Sequence, residues 1–211
     1  MNLILQIWHT PAVPTLVAIS SIAMKEYAAR IGADYAMIHG LQFNLHFSVW
    51  AQKLAMLSED YEPYETVAMI DSDMFPVRGL TDNLFTVPGH GFHQEQAHKR
   101  VCSAFPKLTS YDGGFYGGCL YKFNRQERQR LREKIDKTEL KQFDSPTGGW
   151  DEGMIHRLCL LAKLPVSYFS DVWCYGSHWP APQIAKMIHV RTKPSKEKLE
   201  NYRALVTKGI L

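Results

Sequence analysis

Val67-Ala68-Met69-Ile70-Asp71-Ser72-Asp73-Met74-Phe75-Pro76 is the stretch on which the fold turns. A continuous apolar run suits a strand covered on both faces, as in a parallel sheet flanked by helices. Side chains directly after such a strand stand at its carboxyl end, where open α/β sheets bind ligands. Residues two apart on an extended chain point the same way, so Asp71 and Asp73 can converge on one ion. Two close carboxylates repel each other unless a cation neutralises them. Hard carboxylate oxygens suit magnesium or manganese rather than a thiophilic metal. An Asp pair can also cap a turn or a helix. The four apolar residues before it, and the Met-Phe-Pro return after it, favour the ion site.

Outward from this segment the pattern alternates. Residues 3–8 read as a buried first strand, followed by a turn through His9-Thr10-Pro11 and a helix starting near Pro14. Residues 34–38, bounded by Gly32 and Gly40, form a second short strand, and 66–70 the strand ahead of the Asp pair. Residues 48–57 place Val49, Leu54 and Leu57 at helical spacing behind Ser48 as N-cap. Further on, 119–123 reads as a strand, 125–137 as a charged surface helix, and 150–163 as a helix carrying Met154, Ile155, Leu158 and Leu161. Residues 166–169 and 184–190 are later strands. Residues 195–208 begin with Ser195 and Glu197 and end before Gly209, the start and stop signals of a helix. Strands alternating with helices predict an α/β fold, with a mixed, mostly parallel, Rossmann-like sheet flanked by helices in a single domain over 1–211. Residues 86–118 are the least periodic stretch and the expected home of site loops.

Composition excludes several classes. The chain has 24 Lys+Arg against 21 Asp+Glu in 211 residues, a formal net charge of +3. That is too small for an extended phosphate-coating surface, so no nucleic-acid partner is expected. Hydrophobic residues at 45% and charged residues at 21% exclude disordered, collagenous and coiled-coil chains. The first 24 residues carry no charged side chain, yet Gln6, His9, Thr10, Pro11 and Pro14 break their apolar run. A signal peptide or a spanning helix of roughly 20 apolar residues is therefore not expected. The expectation is a soluble, cytoplasmic protein with no membrane span. Cys102, Cys119, Cys159 and Cys174 contain no Cys-x-x-Cys pair. They read as buried thiols in a reducing compartment, with a structural zinc site disfavoured.

The Asp71-Ser72-Asp73 segment resembles the Asp-x-Asp motif of GT-A fold glycosyltransferases, the glycogenin-like and Och1-like sugar transferases among them. The resemblance implies that Asp71 and Asp73 hold a divalent metal, manganese or magnesium, which grips the diphosphate of a UDP-linked nucleotide-sugar, with Ser72 between them on the donor. Leu3-Ile4-Leu5-Gln6-Ile7-Trp8-His9 is similar to the first strand of Och1-like members, implying that Trp8 and His9 line the nucleotide pocket. The helix before the motif commonly carries a basic residue that reaches the donor, here Lys53. Downstream, Tyr111-Asp112-Gly113-Gly114-Phe115-Tyr116-Gly117-Gly118 packs four glycines into six residues, which lets the backbone approach a ligand closely. In the family such a turn lies against the donor sugar, placing Asp112, Gly113 and Gly114 there.

Trp150-Asp151-Glu152-Gly153 opens a helix, where acids are favoured by the helix dipole alone. The resemblance implies that an acid here faces sugar and acceptor and can serve as base in an inverting reaction, with Asp151 the first choice and Glu152 the second. His189 and the following Lys193-Pro194 match in order the late His that completes the metal site and the Lys-Pro that contacts phosphate. Their spacing is shorter than the family usually shows. The compact length is also similar to that of chlorella-virus transferase domains that build capsid glycans, which would put such a protein in the host cytoplasm.

The implied activity is transfer of a sugar from a nucleotide-diphosphate donor to a glycan or glycoprotein hydroxyl. Three rivals share parts of this pattern. A haloacid-dehalogenase-type phosphatase wants Asp-x-Asp on its first strand and Thr or Val two residues beyond, where this chain has Phe75-Pro76. A nucleotidyltransferase shows a Gly-rich basic loop after the first strand, unlike His9-Thr10-Pro11. A sugar- or nucleotide-binding module without turnover keeps the fold, and the intact Asp71, Asp73, Asp151 and His189 argue against it.

Overall fold

The computed structural model describes residues 1–8, 14–43, 46–93, 116–141, 144, 151–165, 167–190 and 195–211. The apolar first run forms strand β1 (Asn2–Trp8), buried along its centre, and helix α1 (Pro14–Arg30) follows. Then come β2 (Asp34–His39), a 3-10 helix (Trp50–Leu57), β3 (Thr66–Asp71) and the short β4 (Met74–Pro76). Strand β5 (Gly91–His93) and the long β6 (Tyr116–Asn124) precede helices α2 (Arg125–Arg132), α3 (Lys137–Lys141) and α4 (Asp151–Leu161). The chain closes with β7 (Tyr168–Phe169), β8 (Tyr175–Gly176), β9 (Met187–His189) and α5 (Ser195–Thr207).

The main sheet has six strands in the order β2-β1-β3-β6-β5-β7. β1 pairs in parallel with β2 and β3, and β5 in parallel with β7. β6 alone runs against its neighbours β3 and β5. This is the expected mixed, mostly parallel sheet. β1, apart from Gln6, and β3 are apolar through their centres because core lies on both faces. Leu3, Leu5, Val67 and Met69 pack toward the 3-10 helix and α4, whereas Ile4, Ala68 and Ile70 pack toward α1. A second sheet, β4-β9-β8, carries its own core of Phe75, Tyr175, Ile188 and Leu205. Tyr202 of α5 packs its ring on Phe75 at 4.9 Å.

Several boundaries differ from the sequence reading. Residues 50–57 form a 3-10 helix, and Ser48 does not cap it: its backbone N–H donates to the Asp144 carboxylate at 3.0 Å. The expected 125–137 helix stops at Arg132, and α3 follows as a separate element. Residues 182–184 are a 3-10 turn, so the late strand shrinks to Met187–His189. Pro182 provides no backbone donor for a ladder and suits the first turn of a helix. Strand β5 escaped the reading because three residues carry too little periodicity to register.

Arg128 locks the far end of the sheet. Its guanidinium is fully buried and donates to the carbonyls of Phe123 (3.0 Å), Tyr61 (2.8 Å) and Tyr64 (2.8 Å). Asn124 and Glu127 form a capping box that starts α2 and aims this arginine inward. Arg128→Met keeps the bulk but strands three carbonyls. It should lower stability by about 3 kcal/mol, read as a lower urea midpoint with an unchanged slope.

Candidate active site

The site assembles where β3 ends. β3 pairs with β1 so that Ile7 stands beside Asp71, and the turn through Ser72 and Asp73 leads straight into β4. Gln6, fully buried, braces this turn. Its amide N–H donates to the Asp71 carbonyl at 2.9 Å and to the Ser20 hydroxyl at 3.1 Å, and its carbonyl oxygen accepts from the Tyr35 hydroxyl at 2.9 Å. Ser20 in turn donates to the Met74 carbonyl at 2.7 Å. A buried polar residue inside an apolar strand is the sequence signal that marks this brace.

The late histidine arrives through the second sheet. β4 and β9 are antiparallel with Met74 opposite His189, and the Val190 N–H donates to the Asp73 carbonyl at 3.0 Å. His189 Nε2 therefore lies 3.0 Å from Asp73 Oδ1 and 3.7 Å from Asp71 Oδ2. One ligand atom from each of Asp71, Asp73 and His189 lies within 4.8 Å of the others. Two carboxylates and an imidazole at this separation fit a hard or borderline divalent cation such as manganese or magnesium.

Two lysines share the cluster. Lys53, on the 3-10 helix, lies 2.7 Å from Asp71 Oδ1 and 3.0 Å from Asp151 Oδ2, and donates to the Gly118 carbonyl at 2.5 Å. Its three donors are thus taken inside the protein, whereas the sequence reading expected it to reach a donor ligand. Burial disfavours the ammonium, but Asp151 and Asp71 outweigh that and hold Lys53 above the ordinary lysine range, with Glu152 adding to their effect. The second lysine, Lys198 of α5, was not singled out from the sequence. It lies 2.5 Å from Asp73 Oδ2. Burial alone would raise the Asp73 carboxyl, yet His189 and Lys198 hold it well below the usual carboxylate range. Two ammonium groups against Asp71, Asp73, Asp151 and Glu152 leave the cluster short of positive charge, which a dication would supply.

Asp151 opens α4 and is 2% exposed. Besides Lys53 it accepts a hydrogen bond from the Tyr121 hydroxyl at 3.0 Å. Burial pushes its carboxyl up, Lys53 pulls it down, and Asp71 raises it again. Gly118 makes room for it: a Cβ there would stand 2.6 Å from Asp151 Oδ2. Glu152 is buried next to it. Trp8, at the end of β1, meets His39 edge-on at 5.4 Å, and its buried Nε1 has no hydrogen-bond partner among the described residues. His9, Asp112, Gly113, Gly114 and Lys193 lie outside the described residues. A cavity of about 650 Å³ lined by Ile38, Phe43, Tyr61 and Arg132 shares none of the cluster's residues.

The free thiols expected at Cys119 and Cys174 are absent from the structure. Cys119 and Cys174, 55 residues apart, are joined in a disulfide, so they are not free thiols. β6 and the segment entering β8 meet through tertiary packing, which spacing along the chain does not reveal. Disulfides persist chiefly in oxidising compartments, so the pair gives no support to a reducing one. Cys159 is free and buried, as expected, and burial pushes its thiol up. Cys102 lies outside the described residues. No described helix is long and apolar enough to cross a membrane.

These elements define an α/β fold of the GT-A type. No protein-family model matches the chain, and no curated protein matches it significantly. Among solved structures, it is similar to a glycosyltransferase involved in the glycosylation of the major capsid of PBCV-1, with a TM-score of 0.63. The match covers 96% of this chain and 98% of that one at 11% identity, and the likeness is one of fold.

Removing Lys53 leaves Asp71 and Asp151 facing each other without their shared cation. Lys53→Met should cost roughly 3–5 kcal/mol in chemical denaturation, and adding Asp151→Leu should restore part of that loss.

Proposed function

We propose that this chain is a metal-dependent glycosyltransferase that moves a sugar from a nucleotide-diphosphate donor, UDP-linked, to a hydroxyl of a glycan or glycoprotein. The observation that carries the reading is the β4–β9 register, which sets His189 beside Asp71 and Asp73 at the carboxyl end of a core strand. That donor set suits a dication bound to a diphosphate, and the fold likeness to a glycosyltransferase agrees with it.

Breaking the bond between the anomeric carbon and phosphate loads negative charge onto the leaving diphosphate. A dication held by Asp71, Asp73 and His189 would supply electrostatic stabilisation of that charge. Lys198, beside Asp73, would add positive charge on the phosphate side. Lys53 keeps Asp71 and Asp151 in place. Trp8 and His9 border the nucleotide, and Lys193 adds charge to the phosphate side. Asp112, Gly113 and Gly114 flank the sugar. Asp151 or Glu152 accepts the acceptor's proton or orients the sugar. A carboxyl raised by burial is better matched to proton acceptance near neutral pH than an exposed one.

A thermal-shift panel of nucleotide-sugars, each with and without manganese, tests the reading. One donor should stabilise the protein in a metal-dependent way, by about 2.7 kcal/mol at a hundredfold excess over its Kd. Asp73→Asn should stay folded and lose that shift. No shift with any donor, or undiminished manganese-dependent transfer by Asp73→Asn, overturns the assignment. Asp151→Asn should retain the donor shift and lose about 10²-fold or more in transfer rate.

A further inference from the structure

We infer that Cys119, Cys174 and His189 form a second metal site, for a thiophilic divalent cation such as zinc. It opens when the Cys119–Cys174 disulfide is reduced, and it competes with the Asp71–Asp73 pair for His189. The two sulfurs and a ring nitrogen of His189 lie within 4.8 Å of one another, and all three residues are buried. Strand pairing holds them there: β8 runs parallel to β9 with Gly176 opposite His189, two residues after Cys174, and Cys119 stands in the interior of β6.

The imidazole shows which atom is open. His189 Nε2 lies 3.0 Å from Asp73 Oδ1, while Nδ1 is buried and has no hydrogen-bond partner among the described residues. A neutral imidazole carries one N–H and one lone pair. With the proton on Nε2, the ring donates to Asp73 and offers the Nδ1 lone pair, the carboxylate–histidine–metal arrangement seen around zinc ligands. With the proton on Nδ1, the lone pair on Nε2 serves the carboxylate site instead. One ring can therefore hold either cation, and not both.

Disulfide sulfurs are poor ligands, so the site needs reduction. A dithiol reductant provides two electrons and two protons: the Cys119–Cys174 bond breaks, both sulfurs become thiols, and the reductant closes to its own disulfide. Cation binding then displaces the thiol protons to solvent. Two thiolates and an imidazole with one open position make a donor set that selects zinc over manganese or magnesium. The thiolate site stands on these residues alone. Its inhibition of the carboxylate site rests on the function proposed above.

Cobalt(II) is the probe, because thiolate ligation gives it an intense near-ultraviolet charge-transfer band. The reduced protein should show that band on cobalt addition and the oxidised protein should not. Cys119→Ser and Cys174→Ser should weaken or abolish it, His189→Ala should weaken cobalt binding, and Asp71→Asn should leave the band in place. Zinc should release bound manganese from the reduced protein, read as free manganese by electron paramagnetic resonance, at lower zinc concentration than from the oxidised protein, where zinc competes only at the carboxylate site itself.

Absence of the band from a reduced protein whose two extra thiols titrate with Ellman's reagent overturns the site. So does a band that persists undiminished in Cys119→Ser, or loss of the folded far-ultraviolet spectrum on reduction with cobalt present. A band without any manganese binding upholds the thiolate site and counts against the function proposed above. A band with manganese retained in the presence of zinc overturns the sharing of His189.

Discussion

A buried ammonium between two carboxylates is the constraint around which this molecule is arranged. Lys53 comes from the 3-10 helix, Asp71 from the end of β3, Asp151 from the first turn of α4, and the Gly118 carbonyl from β6. Each charge is costly to bury alone, and the group is tolerable only when all of its members are in position. Four elements that also share the surrounding apolar core are thereby tied to one polar point. Gly118 is part of the same requirement, because the Asp151 carboxylate occupies the place where any side chain would begin.

The small second sheet gives this point its chemistry. Without β4 and β9, the Asp pair would be a strand end with one lysine close by. Their antiparallel register brings an imidazole from the far end of the chain to within hydrogen-bond range of Asp73. α5 docks on the same sheet through Tyr202 and Leu205 and carries Lys198 to the other side of that carboxylate. Two carboxylates, an ammonium and a disulfide thus lie around one histidine.

The core strands were readable because β1 and β3 are apolar on both faces, and such runs mark strands covered on both sides. The Asp pair was readable for the same reason, as polarity that begins where a buried strand stops. α1 and α5 announced themselves through Pro14 and Gly209. The three-residue strand β5 and the split between α2 and α3 were not legible, since short elements depend on what they pack against. Lys53 was found, but its partners were not: a basic residue on a helix reads as an arm toward a ligand, and here it points inward. Lys198 was missed because a lysine in a charged surface helix carries no local mark.

By itself the sequence determined the class of fold, the strand that ends in the carboxylates, and the set of residue types fit to hold a cation. Tertiary structure decided who meets whom: His189 with Asp73, Lys198 with Asp73, Lys53 with Asp151, Cys119 with Cys174. The physical reason is one of range. Periodicity and capping are written over a few neighbouring residues. Strand register joins segments far apart along the chain, and its outcome depends on the summed packing of surfaces that no short stretch contains.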